Sequence, residues 1–362
     1  MGRRCLNWDY SSRAIYEITI TLKDRSNPFL SSRPVKHLVS EVSQDGEASN
    51  SYRWEVIPTE MGKKVLRCWQ EIPNRYPQIS LIASQIMPEH FHGVLFVKES
   101  LKPKQLGDVI RGFKTGSREV GWDSGFVDSI LWRKGQLKKM VDYLRDNPRR
   151  LGLKRENPDL FKVADTLPIT LLGKEIDFST VGNRFLLNKP VILQVQCSRK
   201  EFAYKRERLP SGKSRVVRDK EDNPIIEFST EEFKEKAARL LSAADHGAVI
   251  ISPCISDGEK EIARLAMKEG ASIITLRNKA FPRLFKPEGR YFDACAEGKL
   301  LMLAPAAWKY IPGEKKISRE DALILNRIAQ LIAEDGAAEI NYKGYELNDV
   351  DSLVKRLGGY PA

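Results

Sequence analysis

The sequence predicts an α+β unit followed by an α/β unit built on a parallel sheet. Three observations lead there. The chain has 362 residues, 41% of them hydrophobic, more than one core comfortably holds. Its first half mixes alternating and helical apolar spacings. Its second half carries short apolar runs without alternation, separated by helices.

In the first half, residues 15–22 (IYEITITL) alternate and are rich in β-branched side chains, which suits a half-buried strand. Residues 27–51, rich in Ser, Pro and Asn, read as a loop that could hold a short hairpin. Helical spacing from Thr59 to Ile72 predicts a helix. Strands follow at 79–87 and 91–97, broken at Pro88-Glu89. A helix begins near Pro103, with Leu106, Val109, Ile110 and Phe113 on one side. Another spans 134–146 and stops at Pro148, which removes a backbone donor and restricts its predecessor. This order predicts a sheet with its helices on one face.

Residues 157–180 interrupt the pattern. The predicted domains are therefore 1–160, a linker at 161–184, 185–335, and a tail at 336–362. Apolar runs at 191–196, 248–252, 272–276 and 300–304, with helices at 231–244, 259–269 and 318–334, predict a Rossmann-like α/β domain with strands buried on both faces. The insertion 203–224 reads as a basic hairpin. Its Gly212-Lys213-Ser214 is not a Walker loop, because Glu207 stands where that motif needs glycine.

Sixty Lys and Arg against 48 Asp and Glu give a net charge of +12, which suits a polyanionic partner. Residues 101–155 hold 14 of those cations against 6 acids, so two-thirds of the excess sits in one segment. Arg111, Lys114, Lys138, Lys139, Arg149 and Arg150 are its DNA-binding candidates. Trp122, Phe126 and Trp132 are candidate stacking platforms, with core packing as the alternative. Five scattered cysteines form neither a disulfide framework nor a zinc ribbon. No leader-like segment and no run of 18 apolar residues occurs, so the expectation is a reduced, cytoplasmic protein with no membrane partner.

Chemistry concentrates at Glu89-His90-Phe91-His92. In a strand, residues i and i+2 share a face, so His90 and His92 present two imidazoles side by side. They would make half of a divalent-metal site. Farther on, Leu137, Met140, Val141 and Leu144 form the apolar stripe of a helix, and Tyr143 and Asn147 lie one turn apart beside it. A phenol beside a cation is a legitimate nucleophile toward phosphorus. Each element also has a plain reading, as a chance His pair and as a rim tyrosine with a helix-stop asparagine.

Together, His-x-His after Met-Pro-Glu, Ile110-Arg111-Gly112-Phe113-Lys114-Thr115, and Val-Asp-Tyr-Leu-x-x-Asn-Pro resemble the single-tyrosine HUH transposases. The closest group is the REP-associated tyrosine transposases, and the likeness spans about Ile15 to Leu153. The resemblance implies a ferredoxin-like core, with His90 and His92 as metal ligands and Tyr143 as nucleophile. Asn147 would be a third, amide ligand, and Mg²⁺ or Mn²⁺ the cofactor. It further implies cleavage and rejoining of single-stranded, hairpin-bearing DNA through a 5′-phosphotyrosine, and nucleoid association when bound. A homodimer is one arrangement the chain could adopt.

Ser198-Arg199 after the run 191–196, the Ser-x-x-x-x-x-Gly turn before a helix, and Leu325-Asn326-Arg327-Ile328-Ala329 make the second half similar to the Rossmann-like domain of DprA and of the "lonely guy" nucleotide hydrolases. Ser198, Arg199, Ser256 and Gly258 are its phosphate-binding candidates, with Ser256 and Glu259 as a capping box. Cys197 replaces the DprA glycine, and the hydrolases' Pro-Gly-Gly motif is absent. Two alternatives stay open: a hairpin-binding protein that does not cut, and a nucleotide-handling enzyme run from the second half.

Overall fold

The computed structural model describes residues 7–26, 29–42, 48–209, 212–311, 317–333 and 350–357, with backbone alone at 40–42, 48–51 and 350–352. It is a mixed α/β chain of two compact units, Met1–Glu156 and Asn157–Ala362.

In unit 1, β1 (Ala14–Thr21) is followed by β2 (Val35–Val42) and β3 (Ala48–Glu55). Then come α1 (Glu60–Gln70), the single turn α2 (Ile72–Arg75), β4 (Ile79–Ile86) and β5 (His90–Val97). α3 (Leu106–Gly116), β6 (Val127–Ile130) and α4 (Gln136–Glu156) complete it. β4, β5, β1 and β6 form one antiparallel sheet in that spatial order, so β5 and β1 are its central strands. Alternation sorts its faces. Tyr16, Ile18, Ile20, Phe91, Leu95 and Val97 join the core under α1 and α3, where Val65, Trp69, Val109 and Phe113 meet them. Gly93 makes this packing possible, since a Cβ there would lie 2.3 Å from the Trp69 ring. α1 starts at Thr59, whose hydroxyl accepts from Gly62 N–H. α3 starts with a Gln105–Asp108 capping box.

Two expectations fail here. The helices are not all on one face: Leu144 of α4 packs with Val94 and Leu131, flanked by Ile15, Leu137 and Met140, on the face that bears the histidines. Nor does α4 stop at Pro148. It runs on to Glu156 with Asn147, Pro148 and Gly152 buried. Interior proline costs a helix about 3 kcal/mol, and burial of side chains such as Leu144 returns about 1.5–3 kcal/mol each. The hairpin that the 27–51 segment suggested is present and longer than expected: β2 and β3 pair in eight-residue register from Val35↔Glu55 to Val42↔Ala48.

Unit 2 opens with β7 (Ala164–Leu171) and β8 (Lys174–Gly182), then β9 (Ile192–Gln194), β10 (Phe202–Tyr204), β11 (Arg206–Arg208), β12 (Ser214–Val216) and β13 (Ile226–Ser229). α5 (Glu231–Asp245), β14 (Val249–Ser252), α6 (Asp257–Lys268), β15 (Ile273–Leu276), α7 (Arg290–Ala296), β16 (Leu300–Pro305), α8 (Arg319–Ala333) and α9 (Val350–Arg356) follow. The main sheet has the order β7-β8-β16-β15-β14-β9. β16, β15, β14 and β9 are parallel, while β8 and β7 add antiparallel strands at one edge.

The segment 161–184 is therefore not a linker. Most of it forms β7 and β8, whose Leu171, Ile176 and Phe178 enter the unit's core. Nor are residues 336–362 all tail, because Leu353, Val354 and Leu357 enter the same core beside Ile324, Leu325 and Ile328 of α8. The basic insertion holds the β11–β12 hairpin, with Glu207 paired to Arg215 and Arg206 to Asp257. Its Pro210-Ser211 turn lies outside the described residues.

Candidate functional site

The histidine strand sits in the middle of the unit 1 sheet, where pairing on both sides holds its side chains rigidly. Across the register His92 faces Thr19 and His90 faces Thr21. The two imidazoles lie edge to face, ring centroids 4.8 Å apart. His92 is 7% exposed and Glu17 5%. The His92 Nδ1–H donates to Glu17 Oε1 at 3.0 Å, with Thr19 Oγ1 2.9 Å from the same nitrogen. The Thr19 hydroxyl itself donates to Glu17 at 2.6 Å. This network assigns the proton to Nδ1 and leaves the Nε2 lone pair to bind a ligand, as buried carboxylates do for metal-bound histidines. Glu17 was invisible in the sequence, where it is one acidic residue in an alternating strand 75 positions from its partner.

α4 brings its own residues to this face. The Tyr143 ring stands 6.3 Å from that of His92, nearly perpendicular, and is 43% exposed. Arg150, two turns on, sets its guanidinium 5.7 Å from the Tyr143 ring centroid. Between them lies Asn147, 8% exposed, whose Nδ2 is buried without a hydrogen-bond partner. Among the described residues, no three His, Cys, Asp or Glu side chains form a group able to hold a metal. A cation here would take two imidazoles and the Asn147 amide, completed by phosphate or water oxygens. The amide would ligate through its Oδ1, since the unpaired Nδ2 is a donor and has nothing to offer a cation, and the imidazoles favour Mn²⁺ over Mg²⁺.

The other basic candidates separate into two groups. Lys138, Lys139, Arg149 and Arg150 ride on α4 with Tyr143, with Lys138 paired to Asp142 and Arg149 to Asp146. Arg111 and Lys114 belong to α3 on the opposite face of the sheet. Lys114 donates to the carbonyls of Asp123, Ser124 and Gly125 at 2.6, 3.3 and 2.6 Å. Its three donors hold a loop, which leaves none for a phosphate. Burial also depresses its pKa. Of the aromatics, Trp122 and Phe126 pack against the core, and Trp122 Nε1–H donates to Ser117 Oγ. Trp132, beside Arg133, is exposed.

In unit 2 the α6 N-terminus has the capping box, but its anion position is filled from within. Glu259, buried, accepts from the N–H groups of Ile255 and Ser256. Burial raises the pKa of this carboxyl. Gly258 packs so tightly on Cys197 that a Cβ would lie 2.9 Å from that side chain. Ser256 and Gly258 therefore close a helix end rather than open a phosphate site. Ser198 is engaged locally, its N–H on Glu201 and its hydroxyl accepting from Lys200 N–H, while Arg199 is exposed.

No helix among the described residues is long and apolar enough to cross a membrane. No protein-family model matches the chain. An uncharacterised protein of Haemophilus influenzae is 22% identical over 173 residues, covering 40% of this chain and 86% of that protein. Among solved structures, a REP-associated tyrosine transposase bound to a REP hairpin is similar over 41% of this chain and 75% of its own. The identity is 15% and the TM-score 0.30. What the His90–His92–Tyr143 face can do rests on its side chains.

Proposed function

We propose that unit 1 is an HUH-class, metal-dependent DNA nickase and strand transferase acting on single-stranded, hairpin-bearing DNA. One observation carries the reading: an exposed phenol stands over a rigid His pair whose inner member is held by a buried carboxylate. The sheet order supports a ferredoxin-like core, since β1, α1, β4, β5, α3 and β6 follow the β-α-β-β-α-β succession. The four parallel strands of unit 2 support a Rossmann-like reading of that half.

In this mechanism His90, His92 and Asn147 hold the cation, and a bound Mg²⁺ or Mn²⁺ supplies Lewis-acid polarisation of the scissile phosphate. Tyr143 Oη attacks phosphorus in line. The Oη–P bond forms, the P–O3′ bond breaks, the phenol gives up its proton and the departing 3′-oxygen takes one. The products are a 5′-phosphotyrosine and a free 3′-hydroxyl. The Arg150 guanidinium, already against the ring, stabilises the charge that develops there. Attack by another 3′-hydroxyl reverses the step and joins strands, because the phosphodiester energy is kept in the tyrosyl ester. Lys138, Lys139, Arg149 and the exposed Trp132 supply phosphate contacts and a stacking surface for the strand.

The test is incubation of labelled hairpin-bearing single-stranded DNA with wild-type or Tyr143→Phe protein and Mg²⁺ or Mn²⁺, resolved on denaturing gels. A metal-dependent covalent adduct that disappears in the variant is expected. Hairpin binding without any adduct under either metal would instead establish a binding protein that does not cut.

A further inference from the structure

Unit 2 carries an uncompensated cation at the carboxyl edge of its parallel sheet. Arg277 directly follows β15, and its N–H donates to Leu303 O at 2.8 Å, extending the β15–β16 ladder by one residue. By strand parity its side chain shares a face with Thr275. The half-buried guanidinium lies against two rings, 5.2 Å from the centroid of Phe281 and 4.9 Å from that of Phe285. Among the described residues it makes no ion pair with a carboxylate. Burial lowers its pKa, against the opposing effect of the nearby Tyr291 phenol.

The register supplies the rest of the niche. Extended by that ladder bond, Arg277 lies opposite Ala304, and Ala304 pairs with Ser179 on the far side. A methyl group thus separates a guanidinium from a serine in one row across three strands. Thr275 Oγ1 and Ser179 Oγ are both buried and both lack a hydrogen-bond partner. Tyr291 of α7 is hydrogen-bonded to Cys254, which follows the neighbouring strand β14. A desolvated cation without a counter-charge, beside hydroxyls with unmet capacity, is what an anion would satisfy. The segment after β15 adds Lys279, Arg283 and Lys286 before its first acid, Glu288.

We infer that Arg277, with Thr275, Ser179 and Tyr291, forms a site for a terminal phosphate group, carried either by a small phosphate ester or by the phosphorylated end of a nucleic-acid strand. The guanidinium takes two phosphate oxygens through its forked donors, and the hydroxyls take a third. This site is independent of the chemistry proposed for unit 1.

The experiment uses the full chain and inorganic phosphate, read by ³¹P line broadening and by the melting midpoint against chloride at equal ionic strength. Two oligonucleotides of one sequence, with and without a 5′-phosphate, are compared by anisotropy without divalent metal. Phosphate is expected to broaden and to stabilise wild-type protein. Arg277→Lys should bind about tenfold more weakly, and Arg277→Met not measurably. Arg277→Lys keeps the charge on the rings, so it remains informative if Arg277→Met does not fold. Tighter binding of the phosphorylated oligonucleotide, lost in Arg277→Lys, assigns the source to strand ends. Equal binding of the two, with phosphate still bound, assigns it to small esters. No effect of phosphate on wild type, or the same effect on wild type and Arg277→Lys, overturns the site.

Discussion

A buried amide group without a hydrogen-bond partner costs about 1–3 kcal/mol, and Asn147 Nδ2 is in that state. A residue kept at such a cost one turn from Tyr143 on the same helix is not held there by stability. Replacing it with an apolar residue of similar size should therefore separate stability from function. Asn147→Leu is expected to raise the melting midpoint of unit 1 while cutting metal-dependent adduct formation at least tenfold. A variant that melts lower, or cleaves at the wild-type rate, would remove Asn147 from the site. The residues with local patterns were the legible ones: His90 and His92 by their spacing, Tyr143 and Asn147 by helical phase. Glu17 had no such pattern, because its tie to His92 is a cross-strand pairing between distant segments. The opposite limit appears in Lys114, whose charge was plain but whose loop-holding partners were not.

At the scale of elements, alternation and apolar runs exposed β1, β4, β5 and the parallel strands, because each buries its side chains regularly. They failed for β7, whose Pro168 and half-exposed face resemble a linker, and for α4, where tertiary packing overrides the proline. The continuation of α4 past Pro148 has a specific use. Its Gly152 backbone lies against Trp54 of β3, so closely that a Cβ would fall 2.2 Å from the indole. Gly152→Val should therefore lower the melting midpoint of unit 1, by an overpacking cost of about 1–3 kcal/mol, and change Trp fluorescence. Gly112→Ala is the matched control. Its Cβ would meet only the Tyr76 hydroxyl, at 3.9 Å, so helix propensity alone should make it neutral or stabilising. Equal losses in the two variants would refute the Trp54 contact.

At the scale of the whole molecule, the two units differ in what titrates inside them. Cys197, Cys254 and Cys295 all belong to unit 2, and burial pushes their thiols from the ordinary 9.0 up to about 12, 11 and 12. Buried Tyr204 and Tyr291 shift upward too. Groups whose folded pKa is raised contribute fully below their unfolded value, and that contribution is lost as pH climbs toward the folded one. The urea midpoint of the unit 2 transition should accordingly fall between pH 8 and pH 10.5, more steeply than that of unit 1. Parallel pH dependences would contradict it. The core of this unit also joins segments far apart in its sequence, Leu171 of β7 to Leu353 and Val354 of α9. On the ribosome that closure is a matter of time. At about 5–20 residues per second, the apolar face begun near Leu171 waits roughly 10–40 s for the residues that cover it. Unit 1 can finish folding during that interval, so nascent chains are exposed to misassembly and to chaperones mainly through their second half.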